Sequence, residues 1–179
     1  MRHKLISLSL FTALAAGATV YVGTALATPS SGFSATTLAV GRFGEIDTFN
    51  QMVSRSRNSV QGHQGNNLWM SMLKTKGVSD LFVQSNVWAP GGTSGWHTHP
   101  GHSLIVVTAG TLTAYHADDP HCTPHVYTVG MGFVDEGGDH VHLIRNEDPI
   151  VEARNIAVQL IPAGATRRVD QDAPDTCGF

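Results

Sequence analysis

From Asp80 onward the chain alternates short apolar runs with polar punctuation. Runs of four to eight residues rich in Val, Ile, Leu, Tyr and Thr cover residues 81–88, 95–99, 103–108, 111–116, 125–129, 132–135, 140–146 and 156–161. Between them fall turn clusters such as Pro90-Gly91-Gly92, Ala109-Gly110 and Glu136-Gly137-Gly138. Strands of this length at this spacing, without a long helical period, predict an antiparallel sandwich or barrel. No internal repeat accompanies the pattern.

Ahead of Asp80 the pattern is mixed. Residues 28–40, rich in Ser, Thr and Ala, read as a flexible lead-in, and 54–67 as a long polar loop. Ile46, Phe49, Met52 and Val53 fit helical spacing, whereas Gly41 to Ile46 fits a strand, so that piece stays open; residues 68–73 read as a further strand. At the start, Met1-Arg2-His3-Lys4 precedes an apolar run to Val22 and then Gly23-Thr24-Ala25-Leu26-Ala27. Charge, apolar stretch and small residues in that order predict a secretory signal cleaved after Ala27. The run approaches membrane-spanning length, but Gly17, the alanines and the Ala25-Leu26-Ala27 ending favour cleavage over an anchor. The expected plan is a signal at 1–27, a partly flexible extension at 28–67, a β-barrel at 68–163 and a polar tail at 164–179.

A total of 179 residues, 41% hydrophobic, suits one domain and is too apolar for disorder. The net charge of −3 becomes −5 once Arg2 and Lys4 leave with the signal. Such a chain is a poor partner for nucleic acid, and after cleavage nothing in it calls for a membrane. Cys122 and Cys177 are the only cysteines, and in a secreted or periplasmic protein they should form one disulfide. In the chain-entropy model a loop of this size is worth about 4 kcal/mol. Its expected work is to pin the polar tail, since neither cysteine has the spacing of a redox or zinc motif.

Histidine placement changes the picture most. Of 10 histidines, eight lie between His97 and His142. His97 and His99 are two apart, as are His140 and His142, and on extended backbone each pair points to one face. Two such pairs on neighbouring strands of a small barrel can aim imidazoles at one interior point, which is metal-site chemistry. His116, His121 and His125, near Cys122 and Asp118-Asp119, read instead as a loop.

The stretch Gly92 to Gly110 resembles the first signature of the cupin superfamily, with His97, His99 and Gly110 at its histidine and glycine positions and Ser103 where it has a Glu. Its second signature is met at His142 and Asn146, while Gly137 and Asp139 stand where that signature has Pro and Gly. More narrowly, residues 90–146 are similar to small exported bacterial single-domain cupins. The resemblance implies an all-β, double-stranded β-helix jelly roll with a short irregular N-terminal extension. It also implies one divalent transition metal (Fe, Cu, Zn, Ni or Mn) held by His97, His99 and His142, with His140 in reserve.

Three neutral imidazoles without a carboxylate leave the ion its full charge, so its open positions favour anionic ligands. In the family a three-His iron site is a dioxygen-activating arrangement, which makes an oxygenase acting on a small organic molecule the leading expectation. A non-catalytic metal- or ligand-binding module is the alternative. Export lets copper and zinc compete with iron. His140 is the expected proton carrier, sharing the inward face with His142; Ser103, Tyr115 and Trp96 are candidate pocket residues, and Arg145 and Arg154 candidate anion partners. His102 is expected on the opposite face. A homodimer through sheet edges is open, with no segment marking the edge.

Overall fold

The computed structural model describes residues 27–54 and 67–179. The predicted signal, apart from Ala27, and the core of the predicted loop, 55–66, lie outside the described residues. Twelve strands follow in order: β1 (Ser31–Phe43), β2 (Asp47–Ser54), β3 (Asn67–Lys74), β4 (Ser79–Thr93), β5 (His97–Thr98), β6 (Ser103–Ala109), β7 (Thr111–His116), β8 (His125–Thr128), β9 (Gly132–Asp135), β10 (His142–Arg145), β11 (Ala153–Pro162) and β12 (Val169–Asp170). Among the described residues no helix is long and apolar enough to cross a membrane.

Ten strands form one antiparallel sheet, running β12-β5-β10-β4-β11-β6-β9, with β1 added on β4 and β7-β8 added on β10. It curls into a nearly closed all-β barrel. The inward face follows from period-two burial: on β6, Ser103, Ile105 and Val107 are buried while Leu104 and Val106 face out. On β11, Ala153, Asn155 and Ala157 turn inward in the same way. Inside the barrel Trp88, Ile105, Val107, Leu112, Ala114 and Ile144 pack together. Polar side chains, among them His97, Ser103, Asp135 and His142, are buried beside this cluster.

A second, smaller core joins Trp96, Tyr115, Leu143 and Cys177. The Cys122–Cys177 disulfide is present and anchors the C-terminal tail there. Trp96 Nε1 donates to the Phe179 carbonyl, the Arg145 guanidinium lies over the Phe179 ring, and β12 pairs with β5. The tail is thus pinned, as expected of the disulfide.

The region before Asp80 differs from expectation in part: residues 68–73 are strand as predicted, within β3, but the lead-in is not as read. Residues read as a flexible lead-in form β1, which pairs with β4 along nearly its whole length, from Ser31↔Thr93 to Phe43↔Ser79. The open piece is strand, pairing as β2 with β3 in a separate hairpin. Ser- and Thr-rich sequence looks like linker because its apolar alternation is weak. Here the long β4 edge supplies hydrogen-bond partners that the lead-in's own sequence does not announce.

Candidate metal centre

The first histidine pair rises from a turn at Gly95, φ +69°, into β5. His97 Nδ1 donates to the Gly95 carbonyl at 2.8 Å, and His99 Nδ1 donates to the Arg167 carbonyl. A carbonyl only accepts, so both rings carry a proton on Nδ1, and Nε2 is the atom each can offer to a metal. His142 opens β10 directly opposite His97. Ring centroids are 4.3 Å apart for His97 and His142 and 4.8 Å for His97 and His99. One ligand atom from each of the three lies within 4.8 Å of the others.

Burial sets the electrostatics. His97 is held well below the ordinary imidazole pKa, first by desolvation and then by the charges of His142, Arg168 and His99. Desolvation pushes His142 down to about 4, partly offset by the Asp135 carboxylate. Both rings are therefore neutral near pH 7, the form that binds metals. His142 Nε2 is buried with no hydrogen-bond partner.

A carboxylate lies beside two of the three imidazoles. Asp135, at the end of β9, is 5% exposed. Its Oδ2 lies 3.3 Å from His99 Nε2 and its Oδ1 3.4 Å from His142 Nδ1. Oδ1 accepts from the Gly137 amide at 3.1 Å, and Oδ2 accepts from Ser103 Oγ at 3.2 Å. Gly137 has φ +68° and a built Cβ would come 2.3 Å from the Gly101 carbonyl, so only glycine fits where the family signature has Pro. Asn146, the other matched residue of that signature, is structural: its amide donates to the carbonyls of Trp88, Ala89 and Val151.

The remaining candidates separate. Ser103 lines the same cavity as the three histidines. His140 does not share the face of His142. Its amide closes a turn onto the Gly137 carbonyl, so the period of two is lost, and its Nε2 pairs with Glu136 at 3.1 Å with the side chain 54% exposed. It lines a second cavity with His116, Asp118 and Tyr127, which Asp135 and His142 also line. Tyr115 and Trp96 are packed in the smaller core, Tyr115 donating to Glu147 at 2.6 Å. Arg154 pairs with exposed Glu152, and Arg145 lies on Phe179, so neither lines the histidine cavity. His102 is exposed, as its position in the alternation predicts.

The histidine cavity measures about 190 Å³. Its walls include Trp88, Ile105 and Ile144, with Gln84, Asn86, Asn155 and Gln159 as polar groups. Asn86 donates to Asn155 at 2.9 Å, leaving Asn86 Oδ1 and Asn155 Nδ2 buried without partners. Arg167 and Arg168 from the tail complete the lining. Arg168 donates to the Ser94 carbonyl at 2.6 Å, and Arg167 to Gln159 at 3.1 Å. Sequence reasoning missed both arginines and Asp135. The only available signal was an Arg-Arg pair inside a tail that a disulfide was expected to pin.

No family model matches the chain, and no curated protein matches it. Among solved structures, a cupin-like protein from Thermotoga maritima is 20% identical over 52% of this chain and 65% of its own, with a TM-score of 0.44. A polyketide cyclase from Streptomyces resistomycificus is 17% identical over 51% and 62%, with a TM-score of 0.43. An oxalate oxidase is 21% identical over 46% of each chain, with a TM-score of 0.39. The chain spans less than two thirds of each of these structures. An antiparallel barrel that brings His97, His99 and His142 to one interior point is the arrangement that the resemblance to the cupins implies.

Proposed function

We propose that the protein is an exported cupin in which His97, His99 and His142 hold one divalent transition ion, and that it acts as an oxygenase-type enzyme on a small anionic organic molecule. The observation that carries this reading is the convergence of three imidazoles, two with proton positions fixed by backbone carbonyls and one with a buried, unpartnered Nε2. That donor set fits Fe, Cu, Zn, Ni or Mn. Bound there, an ion supplies Lewis-acid polarisation and, for iron or copper, one-electron chemistry.

The chain's own residues do the rest. Arg167, beside an Arg168 that is itself paired with Asp170, puts positive charge in the wall where a carboxylate or enolate would sit. The free amide atoms of Asn86 and Asn155 orient polar groups of the ligand, while Trp88, Ile105 and Ile144 exclude water. Export is supported by the signal-like start and is compatible with the disulfide. Sedimentation of the protein lacking residues 1–27 reads whether it is a homodimer.

Elemental analysis of that protein after refolding with metal should give one ion per chain, and oxygen uptake with the iron, copper and nickel forms on a panel of small carboxylic acids should separate one form from the others. An absence of metal from the parent would sink the site. A second reading, a non-catalytic binding module, is favoured by the placement of His140: the expected proton carrier faces the other cavity. Metal binding with no uptake by any form would select it.

A further inference from the structure

We infer that Asp135 supplies the carboxylate ligand that the cupin signature carries at the position of Ser103, so that the ion is held by three nitrogens and one oxygen. This rests on the three-His reading above. Ser103 on β6 and Asp135 on β9 are direct cross-strand partners, both buried and both facing inward. Side chains at such a pair start about 5 Å apart and aim at the same point. A carboxylate lost from one strand is therefore recovered from the strand beside it.

The separation of Asp135 from His99 fits a shared ion. Two donors each about 2.1 Å from one ion, at angles between square and tetrahedral, lie roughly 3.0 to 3.4 Å apart. Asp135 Oδ2 and His99 Nε2 are separated by 3.3 Å. In the neutral, metal-binding form of His99 the single proton sits at Nδ1 on the Arg167 carbonyl, and Nε2 and Oδ2 are then two acceptors facing each other. A cation between them turns that opposition into attraction.

The carboxylate is also aimed. Gly137 N–H holds Oδ1, which lies 3.4 Å from His142 Nδ1, and the Ser103 hydroxyl takes one lone pair of Oδ2, leaving the other for the ion. Ser103 thereby has a reason to be small: a Glu there would set two carboxylates side by side opposite each other, which is unfavourable. A formal charge of +1 on the occupied site, in place of +2, passes selection of anionic substrates to Arg167 and Arg168. A hard oxygen donor also shifts the preference towards ions such as manganese.

The test titrates Mn²⁺ and Cu²⁺ into the parent, Asp135→Asn and Asp135→Asn/Ser103→Glu proteins, each checked for native circular dichroism. Loss of an oxygen ligand should weaken Mn²⁺ by at least about 100-fold, beyond the usual cost of disturbing an outer partner, while Cu²⁺, satisfied by imidazoles, weakens by less than about tenfold. The double variant, with its carboxylate back at 103, should recover most of the Mn²⁺ affinity. An equal loss for both ions makes Asp135 a positioning residue and overturns the proposal, as does unchanged Mn²⁺ binding in Asp135→Asn. A parent that binds neither ion overturns the three-His reading as well.

Discussion

Residues 95–99 and 138–142 carry the same local sequence idea, a glycine followed by a histidine pair spaced by two, yet they deliver different chemistry. In the first, both imidazoles reach the candidate metal centre, each held by a backbone carbonyl. In the second, only His142 does, because His140 still belongs to the turn and the strand begins at His142. Period-two alternation is a property of extended backbone, and a pair that straddles the end of a turn does not have it.

Replacing ligands breaks this comparison most strongly. His97→Ala and His142→Ala should each remove stoichiometric metal, read by elemental analysis, with the barrel still folded by circular dichroism. Full metal in either variant would contradict the assignment.

The next effect sharpens it through pH. His97 and His142 have depressed pKa values, so below about pH 6.5 the unfolded chain binds protons that the folded one does not. The stability of the metal-free protein should be level above that pH and decline as pH drops towards 4. A Tm series recorded with chelator measures it; His142→Ala should flatten the curve, and His140→Ala should not.

Cys177→Ser releases the tail that ties Arg167 and Arg168 to the first pair, and should cost about 2 to 4 kcal/mol in urea titration. Gly137→Ala strains the turn that separates His140 from His142 and holds Asp135, for about 1 to 3 kcal/mol and a lower Tm. Smallest of all, His140→Ala removes an exposed contact with Glu136 and should change metal affinity by less than about threefold and stability by less than about 0.5 kcal/mol. A tenfold metal loss there would restore equivalence to the two pairs.

Most strands of the barrel were legible. Residues 111–116 and 132–135 form β7 and β9 with the predicted bounds, since alternating β-branched residues between turns leave little choice. β11 runs longer than its apolar run, Ala153–Pro162 against 156–161, because Arg154 and Asn155 are carried into the ladder by β4 and β6. In the site, His97, His99 and His142 were legible from spacing and resemblance. Asp135 was not, because nothing local marks an Asp at a strand end as facing a histidine.

By itself the sequence determined what depends on nearest neighbours: the alternation that makes strands, the glycine turns, the first histidine pair and the single cysteine pairing open to it. Tertiary structure alone decided what depends on register between distant segments. It set Asp135 against Ser103, put β1 on the edge of β4, brought the tail arginines to the cavity and turned His140 away from it. Register is fixed by the summed fit of whole strands into one barrel, and residues separated by 32 positions, as Ser103 and Asp135 are, carry no local trace of it.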